Sequence, residues 1–287
     1  MGYDMSIIIT ARSGVGSYEL GPLALVRSMW RNRELIYQFT RREIEGRYRG
    51  SFLGIFWSLA KPVFMLLVYT LVFGVIFRSS WPQSRVGGLY DFALVAFCGL
   101  TVFGLFSECI GRAPSIVTSV PNFVKKVVFP LEILPISVFG AALFHMFVSL
   151  AILVVAQWLL AGFVPWTLVL LPLVLLPGVF LCLGAMWLLA SLGVFVRDLD
   201  QAVGLGMQLL FFLTPIVYST EMVPPPLRSL LLLNPLAPVV ENARRVALWG
   251  ELPALPSLAL WLVVTSLFMA LGYAWFVRTR RAFADVL

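Results

Sequence analysis

Between positions 41 and 49 the chain reads RREIEGRYR, and Lys61 follows a short stretch later. A guanidinium holds its N–H donors in a planar fork that matches two phosphate oxygens, and an ammonium adds a point charge. Arg41, Arg42, Arg47, Tyr48, Arg49 and Lys61 are therefore suited to holding a phosphoryl group. Anionic lipid headgroups would suit them equally, and they would then orient the chain without recognising a ligand. No other chemistry is written as plainly. The single histidine, His145, lies within an apolar run, where an imidazole ordinarily pairs with a backbone carbonyl or a helix neighbour. No hydrolytic constellation is visible, and no Gly-rich phosphate loop ending in Lys-Ser or Lys-Thr occurs. Gly204 and Gly206 fall inside an apolar helix pattern and read as close helix packing. Cys98, Cys109 and Cys182 are odd in number and lack metal-ligand spacing, so they read as small buried hydrophobes. Neither a metal nor a cofactor is expected in this chain.

The elements that position these residues belong to a membrane. Of 287 residues, 60% are hydrophobic and 12% charged, against about 25% charged in soluble proteins, and the mean hydropathy is +0.94. Most of the surface must face something other than water. The net charge of +7 does not indicate nucleic acid, because its distribution is one-sided. Basic residues concentrate before Ser51, at Arg112, Lys125, Lys126 and Arg197, and at Arg278, Arg280 and Arg281. Arg78, Arg85, Arg228, Arg244 and Arg245 form a minority on the opposite side, and Lys61 lies inside a span. That bias obeys the positive-inside rule. Ile7-Ile8-Ile9 is too short for a signal segment and lacks a basic start, so insertion through the first span is expected.

Residues 1–26 read as an N-terminal cytoplasmic tail and 27–50 as an amphipathic helix. Arg27, Arg31, Glu34, Gln38, Arg42, Glu45 and Arg49 recur on one face, opposite Val26, Met29, Trp30, Ile36, Tyr37, Ile44 and Tyr48. A basic amphipathic helix feeding a span suggests an element lying on the cytoplasmic leaflet. Residues 52–277 form the transmembrane region, with spans expected over 52–77, 92–110, 131–160, 166–196, 202–218 and 258–277. The proline-flanked stretch 112–130 is too polar to span and reads as an inner loop with a short surface helix. Residues 219–256, punctuated by Pro224-Pro225-Pro226, Pro235, Pro238, Pro253 and Pro256, hold two runs too short to cross. They fit short helices dipping back from the outer face. Residues 278–287 would end the chain in the cytoplasm. The fold class is thus an all-α polytopic membrane protein: six transmembrane helices, an amphipathic interface helix and two short re-entrant outer helices. Lys61, Glu108 and Glu132 lie near predicted inner ends. A proton- or sodium-coupled carrier needs ionisable groups near the midplane, which are scarce, so the energy source lies outside the chain.

The segment RREIEGRYRGSFLGIFWSLAKPVFMLLVYTLVFGVIF resembles the start of the permease subunit of polysaccharide-exporting ABC transporters. The matching positions are Arg47-Tyr48-Arg49, Leu53-Gly54, Trp57 and Pro62. Further matches are Pro121-Asn122-Phe123-Val124-Lys125-Lys126 with Phe129-Pro130, Arg197-Asp198, Phe212-x-Thr214-Pro215-Ile216-x-Tyr218 and Leu233-Asn234-Pro235-Leu236. The resemblance implies a six-span subunit of the bacterial inner membrane with both termini cytoplasmic. It implies a homodimer docked to two copies of a separate P-loop ATPase, which holds the ATP and Mg. It also implies a lipid-linked polysaccharide substrate (capsule, O-antigen or teichoic acid) and periplasmic or outer-membrane export components as further partners, with membrane lipid around the chain and no nucleic acid.

Under that resemblance the arginine run would meet the phosphate of a lipid-linked substrate. Val117, Val120, Phe123, Lys125 and Lys126 would dock the ATPase, with Arg197, Asp198 and Asp200 as an alternative dock; the bland reading is a solvated loop. Trp57, Tyr69, Phe73 and Phe77 are candidate pore-lining aromatics, although an aromatic stripe is more often packing or lipid contact. Tyr218, Glu221, Glu241, Arg244 and Arg245 would serve an outer gate, or belong to an ordinary structured loop. Rival functions are an ABC permease for a small drug or lipid, and a membrane-embedded lipid-processing enzyme; the missing His, Asp and Glu constellation disfavours the enzyme.

Overall fold

The computed structural model describes residues 22–78, 81, 90–125 and 129–287. The expected tail up to residue 21, Arg85, the Gly87-Gly88 loop, Lys126 and the Lys125 side chain lie outside the described residues. Among these described residues twelve α-helices follow one another: α1 (Pro22–Arg31), α2 (Arg33–Tyr48), α3 (Trp57–Tyr69), α4 (Asp91–Arg112), α5 (Pro121–Lys125) and α6 (Ile133–Ala161), then α7 (Leu171–Phe195), α8 (Leu199–Leu213), α9 (Pro225–Leu233), α10 (Leu236–Arg244), α11 (Leu255–Thr279) and α12 (Phe283–Val286). Wider π-helical turns extend α3 over Thr70–Ile76 and α10 over Arg245–Trp249. No β-strand occurs among the described residues.

Among the described residues, five helices are long and apolar enough to cross a membrane: Gly54–Ile76, Asp91–Ser115, Ile133–Ala161, Trp166–Phe195 and Leu255–Val286. The expected fifth span is shorter than the rest. α8 has 15 residues, about 22 Å at 1.5 Å per residue, against a hydrocarbon layer of about 30 Å. Pro215 ends it, because a residue before proline is pushed out of the helical region, and Thr214 is extended at φ −97, ψ 131.

α4 is the axis of the bundle. Its apolar residues occupy every face, and Ala93, Ala96, Cys98 and Cys109 are fully enclosed. Small residues let neighbouring backbones close in. The same device joins α7 to α11, where a Cβ on Gly272 would run into the Gly184 carbonyl.

α2 attaches differently. None of its residues is fully buried, and its contacts with the bundle mix polar bonds with apolar packing by Ile36 and Phe39. The Thr40 hydroxyl donates to the Ser137 carbonyl at 3.3 Å, Arg112 donates to Glu43 at 2.5 Å, and Tyr48 reaches His145 at 2.9 Å. Residue numbers on α2 and α6 rise together along this seam, so the C-terminal half of α2 climbs α6 instead of lying flat across its end. The expected apolar face is only partly the packed one. Trp30 and Tyr37 are exposed, while Ile36 and Phe39 pack on the core. Gly50, at φ +82, lets the chain leave α2 sharply towards α3.

Candidate functional site: a polar-mouthed cleft between α2, α3, α4 and α6

Four side chains from three helices meet at the top of α2. Arg47 forms an ion pair with Glu108 of α4. His145 of α6 lies 3.0 and 3.2 Å from the two Glu108 oxygens through Nδ1, and its Nε2 lies 2.9 Å from the Tyr48 hydroxyl. A carboxylate is the strongest acceptor present, so the proton is assigned to Nδ1, which donates to Glu108, while Nε2 accepts from Tyr48. Burial pushes the Tyr48 phenol above its ordinary value, which keeps it a neutral donor. Arg47 Nη1 also approaches His145 Nδ1 to 2.8 Å, so two donors crowd one carboxylate. His145 stands about 18 Å along α6 from its start, counting 1.5 Å per residue.

The quartet lines a cleft of about 960 Å³, at the upper end of the ~300–1,000 Å³ common for ligand sites. Lys61 lines it from α3 together with Ser51, Trp57 and Ser58. Phe64, Met65, Tyr69, Phe97 and Leu100 give the rest of it an apolar and aromatic wall. Of the expected phosphoryl contacts, Arg47, Tyr48 and Lys61 come together here. Arg41 instead pairs with Glu45 one turn on at 2.6 Å, and Arg42 and Arg49 point to the exposed side. Of the expected aromatic lining, Trp57 and Tyr69 reach the cleft. Phe73 packs on Phe92 of α4 at 4.6 Å, which is the packing role, and Phe77 is exposed. Glu108 and His145 carry no such role in the sequence reading. Each is a lone polar residue in an apolar span, and that isolation is the one signal that could have marked them.

The ABC-2 type transporter family profile matches residues 34–248, from α2 through the turn after α10. The chain belongs to the ABC-2 type transporter family. It is therefore a multi-pass membrane protein with the role of a transporter permease. The O-antigen export system permease protein RfbA of Myxococcus xanthus is 32% identical over 266 residues, covering 92% of this chain and 99% of that protein. A Klebsiella pneumoniae protein of the same name is 26% identical over 224 residues, covering 76% of this chain and 82% of its own length. A second Klebsiella pneumoniae RfbA is 24% identical over 259 residues, covering 88% and 95%.

In this ABC-2 chain the stretch 112–130 packs inward more than expected. Val117 is fully buried, so it cannot insert into a partner. Val120 and Phe123 pack against the core, and Phe123 meets Phe39 of α2 at 5.8 Å and Phe129 at 4.9 Å. The face left to a partner is Ser119, Pro121 and Asn122. Arg197, Asp198 and Asp200 are exposed at the turn between α7 and α8. Asp200 lies in the first turn of α8, where a carboxylate complements the helix dipole.

At the opposite end, the Asn234-Pro235 motif has a physical reading. Asn234 Nδ2 donates to Thr214 Oγ1 at 2.9 Å and to the Leu213 carbonyl at 3.1 Å, while its Oδ1 accepts the Leu236 N–H at 2.9 Å. One side chain thus ties the end of α8 to the start of α10. Arg244, named among the gate groups, is wholly enclosed. It donates to the carbonyls of Val95 (3.2 Å), Pro215 (2.7 Å) and Ile216 (2.5 Å) and lies over the Trp81 ring at 4.7 Å. Its three backbone acceptors offset the cost of burying the charge. Glu241 is 3.6 Å from Arg244, Arg245 pairs with Glu251 at 3.2 Å, and Tyr218 donates to the Phe212 carbonyl at 2.8 Å. Glu221 is exposed, and its N–H is capped by the Ser219 hydroxyl at 3.3 Å.

Proposed function

We propose that this chain is the membrane subunit of an ATP-driven exporter that moves a lipid-linked polysaccharide, O-antigen or capsular in type, across the bacterial inner membrane. Two copies form the conduit and dock two copies of a separate P-loop ATPase, which holds ATP and Mg. Both termini and the base of α2 lie on the cytoplasmic side, in keeping with the positive-inside bias. Stretch 112–130 and the Arg197–Asp200 turn meet the ATPase, and the segment after Tyr218 closes the outer mouth.

The observation that carries this reading is the cleft between α2 and the first span. Arg47 and Lys61 line it together with apolar and aromatic side chains. A phosphoryl group at the end of a lipid tail fits that combination. The volume admits a headgroup and no polymer, so the sugar chain passes between the two copies. Curated relatives that span almost the whole chain are named O-antigen export permeases, which supports a polysaccharide over a small drug.

Replacing Arg47 and Arg49 together with glutamine is the direct test in cells. Surface polymer is expected to fall severely while membrane insertion and dimer assembly persist. Unchanged surface polymer would remove α2 from substrate recognition.

A further inference from the structure

The geometry points to Glu108 as a stand-in for the ligand's phosphate: it occupies Arg47 in the empty cleft, and a phosphoryl headgroup binds by exchanging places with it. This rests on the phosphoryl reading proposed above and adds the group that must let go.

Arg47 is paired yet accessible, with 42% of its side chain exposed beside the cleft. Its partner is not stranded by the exchange. Glu108 keeps the hydrogen bond from His145 Nδ1 at 3.0 Å, and His145 is itself held by Tyr48. A carboxylate that loses its only partner in an apolar span would be costly, whereas this one falls back on an imidazole already in place. Moving Arg47 also disturbs little packing, because α2 has no fully buried residue. Lys61 supplies the independent observation. It lines the same cleft from α3 and makes no ion pair among the described residues. With Glu108 on Arg47, the cleft carries one uncompensated positive charge. With Glu108 withdrawn onto His145, Arg47 and Lys61 face the cleft together, a match for a phosphoryl group of one or two negative charges. Phe64, Met65 and Tyr69 then receive the first part of its tail. The exchange discriminates as well, since a neutral headgroup cannot displace a carboxylate from a guanidinium.

The test uses the full chain in phosphatidylcholine nanodiscs, titrated with a long-chain isoprenyl phosphate. The parent isoprenol, inorganic phosphate and phosphatidylglycerol serve as competitors. Wild type is expected to bind the isoprenyl phosphate and ignore the isoprenol. Glu108→Gln is expected to bind about tenfold tighter, because the resident competitor is gone, and Arg47→Gln about tenfold weaker. The double variant Arg47→Gln/Glu108→Gln should match Arg47→Gln, since nothing remains to be released. Glu108→Asp, which draws the carboxylate back by one methylene, gives the same direction should the glutamine variant not insert. Wild-type binding with Glu108→Gln unchanged or weaker overturns the exchange and leaves the phosphoryl reading standing. No binding by wild type or Glu108→Gln overturns both. Equal displacement by phosphatidylglycerol or inorganic phosphate assigns the cations to bulk anions and also overturns the reading beneath the exchange.

Discussion

A guanidinium enclosed by protein is tolerated only while its N–H groups keep acceptors, and Arg244 meets that condition through Val95, Pro215 and Ile216. Removing it leaves three carbonyls facing a void beside Gly99, where any Cβ would stand 2.7 Å from Nη2. Arg244→Met is therefore expected to lower stability by about 3 kcal/mol, with thermal unfolding in detergent as the measurement. A loss near zero would mean that these bonds do not hold Arg244 in place. From the sequence Arg244 is indistinguishable from a solvated arginine, because Glu241 three residues earlier supplies an ordinary i,i+3 partner. The acceptors lie far away in sequence, on α4 and after α8. The same limit hides the quartet. Arg47 is legible as a phosphoryl ligand from its type and neighbours, whereas Glu108 and His145 are legible only as isolated polar residues. What brings them to Arg47 is the path of α2 along α6.

At the scale of elements, apolar length is the strongest signal: four candidate spans among the described residues lie within about five residues of expectation, and the fifth, Leu255–Val286, runs past its expected end. The exception, α8, is cut short by Pro215, a local rule that the length argument overlooks. Amphipathic pattern is a weaker guide. It assigns α2 an apolar face, and Ile36 and Phe39 do pack on the core, yet the seam also runs through Thr40, Glu43, Arg47 and Tyr48. The polar half of this seam adds ion pairs to the apolar packing. Reversing one partner tests it. Glu43→Arg sets two arginines against each other at the Arg112 contact and is expected to raise hydrogen exchange along α2. Glu43→Arg with Arg112→Glu should restore protection. Equal exchange in the single and double variants would mean that the ion pair does not hold the helix. The inner stretch 112–130 carries a related lesson: Val117 and Phe123 are apolar at helical spacing because they pack inward, and the sequence pattern alone does not separate that from a docking face.

At the scale of the molecule, the chain supplies a cleft and candidate spans, and under the proposed function its work depends on what it assembles with. Net charge, hydropathy and the ordered motifs from Arg47 to Pro235 make the ABC-2 membership legible without a structure. The proposed conduit is not legible, because under that proposal it forms between two copies. The most direct measurement is transport itself, in inside-out membrane vesicles holding the chain, its ATPase and radiolabelled lipid-linked polysaccharide. ATP is expected to render the polymer resistant to an added glycosidase, and Arg47→Gln/Arg49→Gln to abolish that protection while the ATPase stays bound. Polymer that remains fully digestible with ATP, while a small amphiphile is taken up in its place, would contradict the account.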